Sequence, residues 1–333
     1  MSANPSDSGH YNPGRRRVPF TVALPVFNEA AILPRLHASL TTACRNAGAS
    51  YEILYVDDGS SDGTSEILQQ LADGDPFVTV VTLSRNFGQP AALAAAVELA
   101  SGEAVIVMDA DLQDDPSAIP ALLALQREQG ADVVYVVRSG RREGLVMRLL
   151  FAIFHRLIAR SSTFHIPRNT GSFGLIGPRA LAEVRRLSER LRYFPGLRAF
   201  VGFKQVGMPL ARGARYDRHS RVRFRGLVRL AGLALFSQSR APVTLFYWLS
   251  SLSLLFSLGL ITYAVVAKLL GVAVVAWVST VTSVAFFSAI ITLGEAFICE
   301  YLARIYEEVR GRPIYIVEAV RRAAQLTAPD REA

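Results

Sequence analysis

The segment Asp109-Ala110-Asp111-Leu112-Gln113-Asp114 closes an apolar run, AVIVM, with a set of oxygen-bearing side chains. In a strand or its extension, residues i and i+2 point to one side. Asp109, Asp111 and Gln113 are in that step. Two carboxylates with an amide offer hard oxygen ligands for Mg²⁺ or Mn²⁺, cations that bridge one or two carboxylates to substrate phosphates. Such a site suits a diphosphate leaving group. Without a cation the two carboxylates would repel and one would tend to stay protonated.

Four further polar segments follow apolar runs in the same way. They are Pro25-Val26-Phe27-Asn28-Glu29, Asp57-Asp58-Gly59-Ser60-Ser61-Asp62-Gly63-Thr64, Ser84-Arg85-Asn86-Phe87-Gly88 and Arg138-Ser139-Gly140-Arg141-Arg142. Each alone has a plain structural reading: Asp-Gly-Ser is turn chemistry, and Asp62 suits a helix N-cap. Five together describe a rim. Neither a Gly-x-x-x-x-Gly-Lys loop nor a Gly-x-Gly-x-x-Gly turn occurs, which argues against ATPase and dinucleotide chemistry. His155, His165 and His219 lack the spacing of metal ligands. Cys44 and Cys299 are too far apart for a thiolate zinc site and make no disulfide framework.

The elements that must position this rim are legible as alternation. The runs TVALPV, YEILYV, VTVVTL, AVIVMD and DVVYVV are separated by helix-like stretches at 29–46, 62–72, 88–100 and 116–129. That pattern predicts an α/β fold, a mostly parallel sheet with helices on both faces, over 18–212. Ligands of such sheets bind beyond the carboxyl ends of the strands, where the polar segments fall.

The rest of the 333 residues is different. Residues 1–17 are polar and read as a disordered tail. Val243–Ala267 holds 25 residues without a charge and Val272–Leu293 another 22, each enough to cross a bilayer core. The expected domains are a juxtamembrane amphipathic segment at 213–241, a transmembrane hairpin at 242–302 (about 243–267 and 272–296) and a C-terminal tail at 303–333. A chain cut at Ser239 would then keep its sheet. Hydrophobic residues make up 51% and charged residues 19%, with a net charge of +8, so a disordered chain is excluded. The charge favours nucleic acid, anionic lipid or a phosphorylated substrate. Arginines crowd 212–240 and 304–322, beside the apolar runs rather than along a separate module, which argues against nucleic acid. They place both termini in the cytoplasm by the positive-inside rule. Residues 144–160 have an amphipathic pattern that fits a core helix or an interfacial one. Residues 221–236 fit an interfacial helix.

The ordered set PVFNE, VDDGSSDGT, RNFG and DADLQDDP resembles glycosyltransferase family 2, whose members have a GT-A fold and use nucleotide sugars. The apolar hairpin, followed by Gly294-Glu295, Glu300 to Tyr306 and Arg312 to Tyr315, is similar to the ending of its polyprenyl-phosphate glycosyltransferases. The resemblance covers about residues 20–317. It implies inverting, metal-dependent transfer from a UDP- or GDP-linked sugar to a polyprenyl phosphate, undecaprenyl phosphate for a bacterial chain, at the cytoplasmic face of the inner membrane. By the same resemblance Asp109, Asp111 and Arg138 are catalytic. Pro25, Phe27, Glu29, Asp57, Asp58 and Asp109 bind the nucleotide sugar, with Asp57 against the base or ribose. Asp111 and Gln113 hold Mg²⁺ or Mn²⁺, while Arg215, Arg218 and Arg221 receive the lipid phosphate. A homo-oligomer is expected on the same ground. Two positions depart from the pattern: Phe27 stands for the usual Tyr, and Ser172 for the acid of Gly-Asp-Phe. They keep open a non-catalytic membrane scaffold as the alternative. The Gln-x-x-Arg-Trp motif of processive polysaccharide synthases does not occur.

Overall fold

The computed structural model describes residues 18–139, 170–187, 194–211, 241–271 and 276–322. Its elements form two compact units.

The first is an eight-stranded sheet in the order β7-β5-β6-β4-β1-β2-β3-β8. Strands β1 (Val18–Val26), β2 (Tyr51–Asp57), β3 (Val78–Leu83) and β4 (Gly102–Val107) are joined by α1 (Leu33–Asn46), α2 (Thr64–Gly74) and α3 (Gln89–Leu99). They pair in parallel. After a 3₁₀ turn, α4 (Ile119–Gln129) leads to β5 (Val133–Ser139). All five expected strands and the four helical stretches are present.

Period-2 alternation explains the layering. In β1, Phe20, Val22, Leu24 and Val26 pack with Leu33, Leu36 and Leu40 of α1 and Leu122 of α4. Ala23, with Leu54 and Val56 of β2, faces the opposite layer. There α3 buries seven consecutive residues, Ala91 to Val97, five of them alanines, so a helix with little bulk lies close on the sheet. Burial on both sheet faces is what the near-continuous apolar runs of a parallel sheet require.

Three strands fall outside the sequence expectation. β6 (Thr170–Ile176) runs antiparallel between β4 and β5, and β7 (Gln205–Ala211) pairs in parallel with β5 at the edge. Between them lie α5 (Pro178–Arg186) and α6 (Phe194–Phe200). The third, β8 (Val317–Arg322), pairs antiparallel with β3 inside the region expected as a tail. It is anchored by Ser84 N–H to the Ile316 carbonyl (3.0 Å) and by the Tyr315 hydroxyl to Glu98 (2.8 Å). The Arg321 guanidinium also grips both carboxylate oxygens of Asp73 at 3.0 and 3.1 Å. A cut at Ser239 would therefore remove the strand covering the β3 edge. The expectation that the sheet survives such a cut is corrected, because an uncovered edge is a template for aggregation.

At the amino end of the strands, the Glu52 carboxylate is buried and accepts four hydrogen bonds. They come from the Thr21 and Thr79 hydroxyls (2.8 Å each) and from the Ser101 N–H and hydroxyl (2.8 and 3.1 Å). It ties β1, β2, β3 and the entry to β4 together. Glu52→Ala strands several donors in the interior. It is expected to lower unfolding stability by about 3 kcal/mol, read from a denaturant midpoint, with no change in the rim 57–65.

The second unit holds α7 (Ala241–Leu269) and α8 (Ala276–Val309), 29 and 34 residues long. Both contain windows long and apolar enough to cross a membrane, and α8 continues past the expected end at 296. Phe246 meets Phe297 at 4.8 Å and Phe256 meets Phe286 at 4.9 Å between ring centroids. A Cβ on Gly294 would lie 3.0 Å from the Phe246 ring, so a small residue is what lets these helices approach.

Candidate active site

The carboxyl ends of β1, β2, β3 and β4 deliver loops that hydrogen-bond one another into a continuous rim. After β1 the chain turns at Asn28, a non-glycine residue with φ of +54°. Asparagine tolerates this region because its short amide can bond locally. Here the Asn28 amide oxygen accepts from Ser61 N–H (2.8 Å), and Asn28 N–H donates to the Ser60 hydroxyl (3.0 Å). Glu29 N–H donates to the Thr64 hydroxyl and Ala30 N–H to Asp62. Asp62 also accepts from the N–H and hydroxyl of Thr64. Burial opposes its charge, but these donors outweigh it and hold the carboxyl below its usual range. It stands one residue before the N-cap, which is Gly63, so the expected cap is displaced by one position.

Asp57 and Asp58 are turned inward. The Asp57 carboxylate is fully buried and accepts from Ser60 N–H (3.0 Å) and from the Ser65 hydroxyl. The Asp58 carboxylate receives Phe87 N–H at 2.7 Å and Gly88 N–H at 2.9 Å, pinning the loop after β3 against the loop after β2. Burial pushes its carboxyl up, and the two backbone donors only partly offset this. Gly59 permits the contact: a Cβ there would sit 2.6 Å from the Arg85 carbonyl carbon, and its φ is +68°. Above this seam the Arg85 guanidinium lies 4.1 Å from the centroid of the Phe87 ring. Both aspartates therefore hold the rim loops, Asp58 through two backbone donors and Asp57 through one backbone and one hydroxyl donor.

The β4 loop turns on Leu112, which has φ of +58°, an outlier for a bulky residue. Its side chain packs against the core, which holds the turn in place. The turn brings Gln113 back onto Asp111, with N–H to Oδ1 at 3.1 Å and Nε2 to Oδ2 at 2.6 Å. Asp109 N–H donates to Asp114 (3.3 Å), and its own Oδ1 accepts from Gln89 (3.0 Å) and Ser172 (3.1 Å). Gln113 and Asp114 are buried, whereas Asp109 and Asp111 remain partly open.

Of the other expected residues, Pro25 is buried in β1 opposite Val56, Phe27 is exposed, and Glu29 is half-buried on the same loop. Arg138 lies near the carboxyl end of β5, opposite Leu210. Arg215, Arg218 and Arg221 lie outside the described residues, as do the amphipathic stretches 144–160 and 221–236. Gln89 and Ser65 lie outside the polar segments that the sequence marks, and Asn28 and Ser60 lie inside them without an expected site role, yet all four tie the rim together. Gln89 follows the Arg-Asn-Phe-Gly segment directly, and that adjacency was the available signal.

The donor set fits a hard divalent cation. Asp111 carries carboxylate oxygens and Gln113 an amide oxygen on the same loop, while both Asp111 oxygens accept from Gln113, from its N–H and from its amide nitrogen. Among the described residues no group of three or more His, Cys, Asp or Glu side chains could enclose a metal. A cation here would complete its coordination with water and substrate phosphates, the usual arrangement for Mg²⁺.

Comparison with known proteins places these motifs. A family model described as glycosyl transferase family 2 matches residues 21–185. An uncharacterised glycosyltransferase of Synechocystis is 34% identical over 90% of this chain and 95% of its own. A bactoprenol glucosyl transferase of Shigella phage SfII is 31% identical over 90% of this chain and 97% of its own. An undecaprenyl-phosphate 4-deoxy-4-formamido-L-arabinose transferase of Salmonella paratyphi B is 31% identical, with 90% and 93% covered.

Proposed function

Because the chain belongs to glycosyl transferase family 2 and is a glycosyltransferase, we propose that it moves one sugar from a UDP- or GDP-linked donor to a polyprenyl phosphate, undecaprenyl phosphate in a bacterial membrane. The observation that carries this reading is the placement of Asp109 and Asp111, both partly open, on the loop after β4 of a sheet whose chain also holds two membrane-length apolar helices. Relatives named for bactoprenol and undecaprenyl-phosphate acceptors, matched over nine-tenths of the chain, support it.

The chemistry needs no dedicated base. A phosphate monoester is anionic near neutral pH, so an acceptor phosphate oxygen attacks the anomeric carbon directly. The bond from that carbon to the diphosphate oxygen breaks, its electron pair leaves with the nucleoside diphosphate, and a single in-line displacement inverts the centre. The protein has to orient both reactants and compensate the charge that grows on the leaving group. Asp111 and Gln113 would hold Mg²⁺ or Mn²⁺, which supplies Lewis-acid stabilisation of the diphosphate. Arg138 would add a fixed guanidinium donor toward the phosphates. Phe27 and Glu29, with Pro25 beneath them, would border the nucleotide. Asp57 and Asp58 would act by holding the loops that receive it, and Asp109 would face the sugar.

Arg215, Arg218 and Arg221 would receive the lipid phosphate. The hairpin would cross the inner membrane twice, leaving the transferase sheet and both termini in the cytoplasm. A reporter fused after Ala333 is then expected to read cytoplasmic, and one inserted at Leu270 exterior; the opposite pattern rejects this orientation. The reaction itself is tested by nucleoside diphosphate release from the purified protein. Release that requires added polyprenyl phosphate supports transfer to lipid, and release at the same rate without it overturns the proposed acceptor.

A further inference from the structure

Asp109 is held differently from the other rim carboxylates. Asp58 accepts from two backbone N–H groups, Asp57 from one backbone N–H and one hydroxyl on separate oxygens, and Asp111 is met by Gln113 from its own loop. One oxygen of Asp109, by contrast, takes two side-chain donors from two separate elements. Gln89 Nε2 reaches it from the first turn of α3 at 3.0 Å, and the Ser172 hydroxyl reaches it from β6 at 3.1 Å. These partners lie 20 residues before it and 63 after it in sequence. Its backbone is fixed as well, through Asp109 N–H to the buried Asp114 carboxylate.

We infer that Gln89 and Ser172 form a two-sided clamp of positioning residues that fixes the Asp109 carboxylate toward the sugar of the donor. The inference rests on the transfer reading above. Both clamping groups are neutral, so they orient the carboxylate without pairing its charge. The clamp also gives the antiparallel β6 a purpose: inserted between β4 and β5 and running opposite to both, it brings Ser172, near its start, to the carboxyl end of β4. Ser172 suits the task because its hydroxyl donates while adding no second charge beside Asp109; a carboxylate at that distance would repel it.

The test uses the full-length protein in detergent micelles, with Ser172→Ala, Gln89→Leu, their double variant and Ser172→Thr. A hydrogen bond to a charged group typically matters by about ten- to a hundredfold. Each single variant is therefore expected to lower kcat, and to weaken calorimetric binding of the nucleotide sugar, by about tenfold. Binding of the bare nucleoside diphosphate and the melting temperature stay unchanged. Because both donors act on one oxygen, the double variant loses little more than the worse single. Ser172→Thr, which keeps the hydroxyl on a strand that accommodates a β-branched residue, restores activity. Equal losses for the sugar donor and the bare diphosphate, or no loss at all, would overturn the clamp. A wild-type protein that binds no nucleotide sugar would instead reject the transfer reading. A ligand-free crystal structure then decides the clamp separately: the double variant is expected to show Asp109 in a conformer different from the wild type. An unchanged conformer overturns it.

Discussion

Asp111→Asn is expected to reduce sugar transfer by about a thousandfold while leaving the melting temperature unaltered. The substitution keeps the size of the side chain and one acceptor oxygen, so the turn at Leu112 and the Gln113 N–H contact at 3.1 Å can persist. What is lost is the anionic oxygen that would hold the cation against the leaving diphosphate, and removal of one group that stabilises transition-state charge commonly costs two to three orders of magnitude, ~10²–10³. An excess of chelator should abolish the reaction to the same degree, and added Mn²⁺ or Mg²⁺ should restore the wild type but not the variant. Full activity in chelator would remove the cation from the account.

The second large effect separates the two substrates. Neutralising Arg215, Arg218 and Arg221 together is expected to raise the concentration of polyprenyl phosphate needed for half-maximal rate by roughly a hundredfold. Each arginine near an anionic surface contributes roughly 1 kcal/mol of attraction, and a direct phosphate contact adds to that. Nucleotide affinity should not change, since the rim proposed to receive the nucleotide is built from 25–30, 57–65, 84–89 and 109–114. Initial rates against lipid, with calorimetry for the nucleotide, read the two terms apart. A collapse of nucleotide binding with lipid dependence intact would assign these arginines to the donor instead.

The parallel half of the sheet was legible because its strands are buried on both faces and therefore read as unbroken apolar runs. VTVVTL is β-branched at five of six positions, which suits a strand of that length. β6 was not legible for the opposite reason. Its sequence TGSFGLI carries two glycines, and Gly174 is needed because a Cβ would meet the Val134 carbonyl oxygen at 2.5 Å. Close approach of backbones makes the strand resemble a turn. β7 contains Pro209, tolerated because the strand lies at the edge. β8, as VEAVRR, is mostly exposed and charged, which protects an edge and reads as a tail.

The site shows the same division. Which residue types gather at the rim follows from strand ends, so Asp57, Asp58, Asp109, Asp111 and Gln113 could all be named in advance. Which way each faces depends on contacts from distant elements. Asp58 is claimed by backbone donors 29 and 30 residues away, and Asp109 by a serine on a strand that the pattern did not reveal. Ser172 stood out only as a departure from a familiar motif. Its hydrogen bond gives that departure a physical role.

Incubating the purified protein with undecaprenyl phosphate and a panel of UDP- and GDP-sugars, and weighing the lipid product, tests the central claim most directly. Transfer to a polyprenyl phosphate predicts one product, the lipid monophosphate plus a single glycosyl unit, formed in equal amount with a nucleoside diphosphate. A lipid carrying a diphosphate-linked sugar with release of nucleoside monophosphate, or donor hydrolysis with every sugar and no glycolipid, would contradict it.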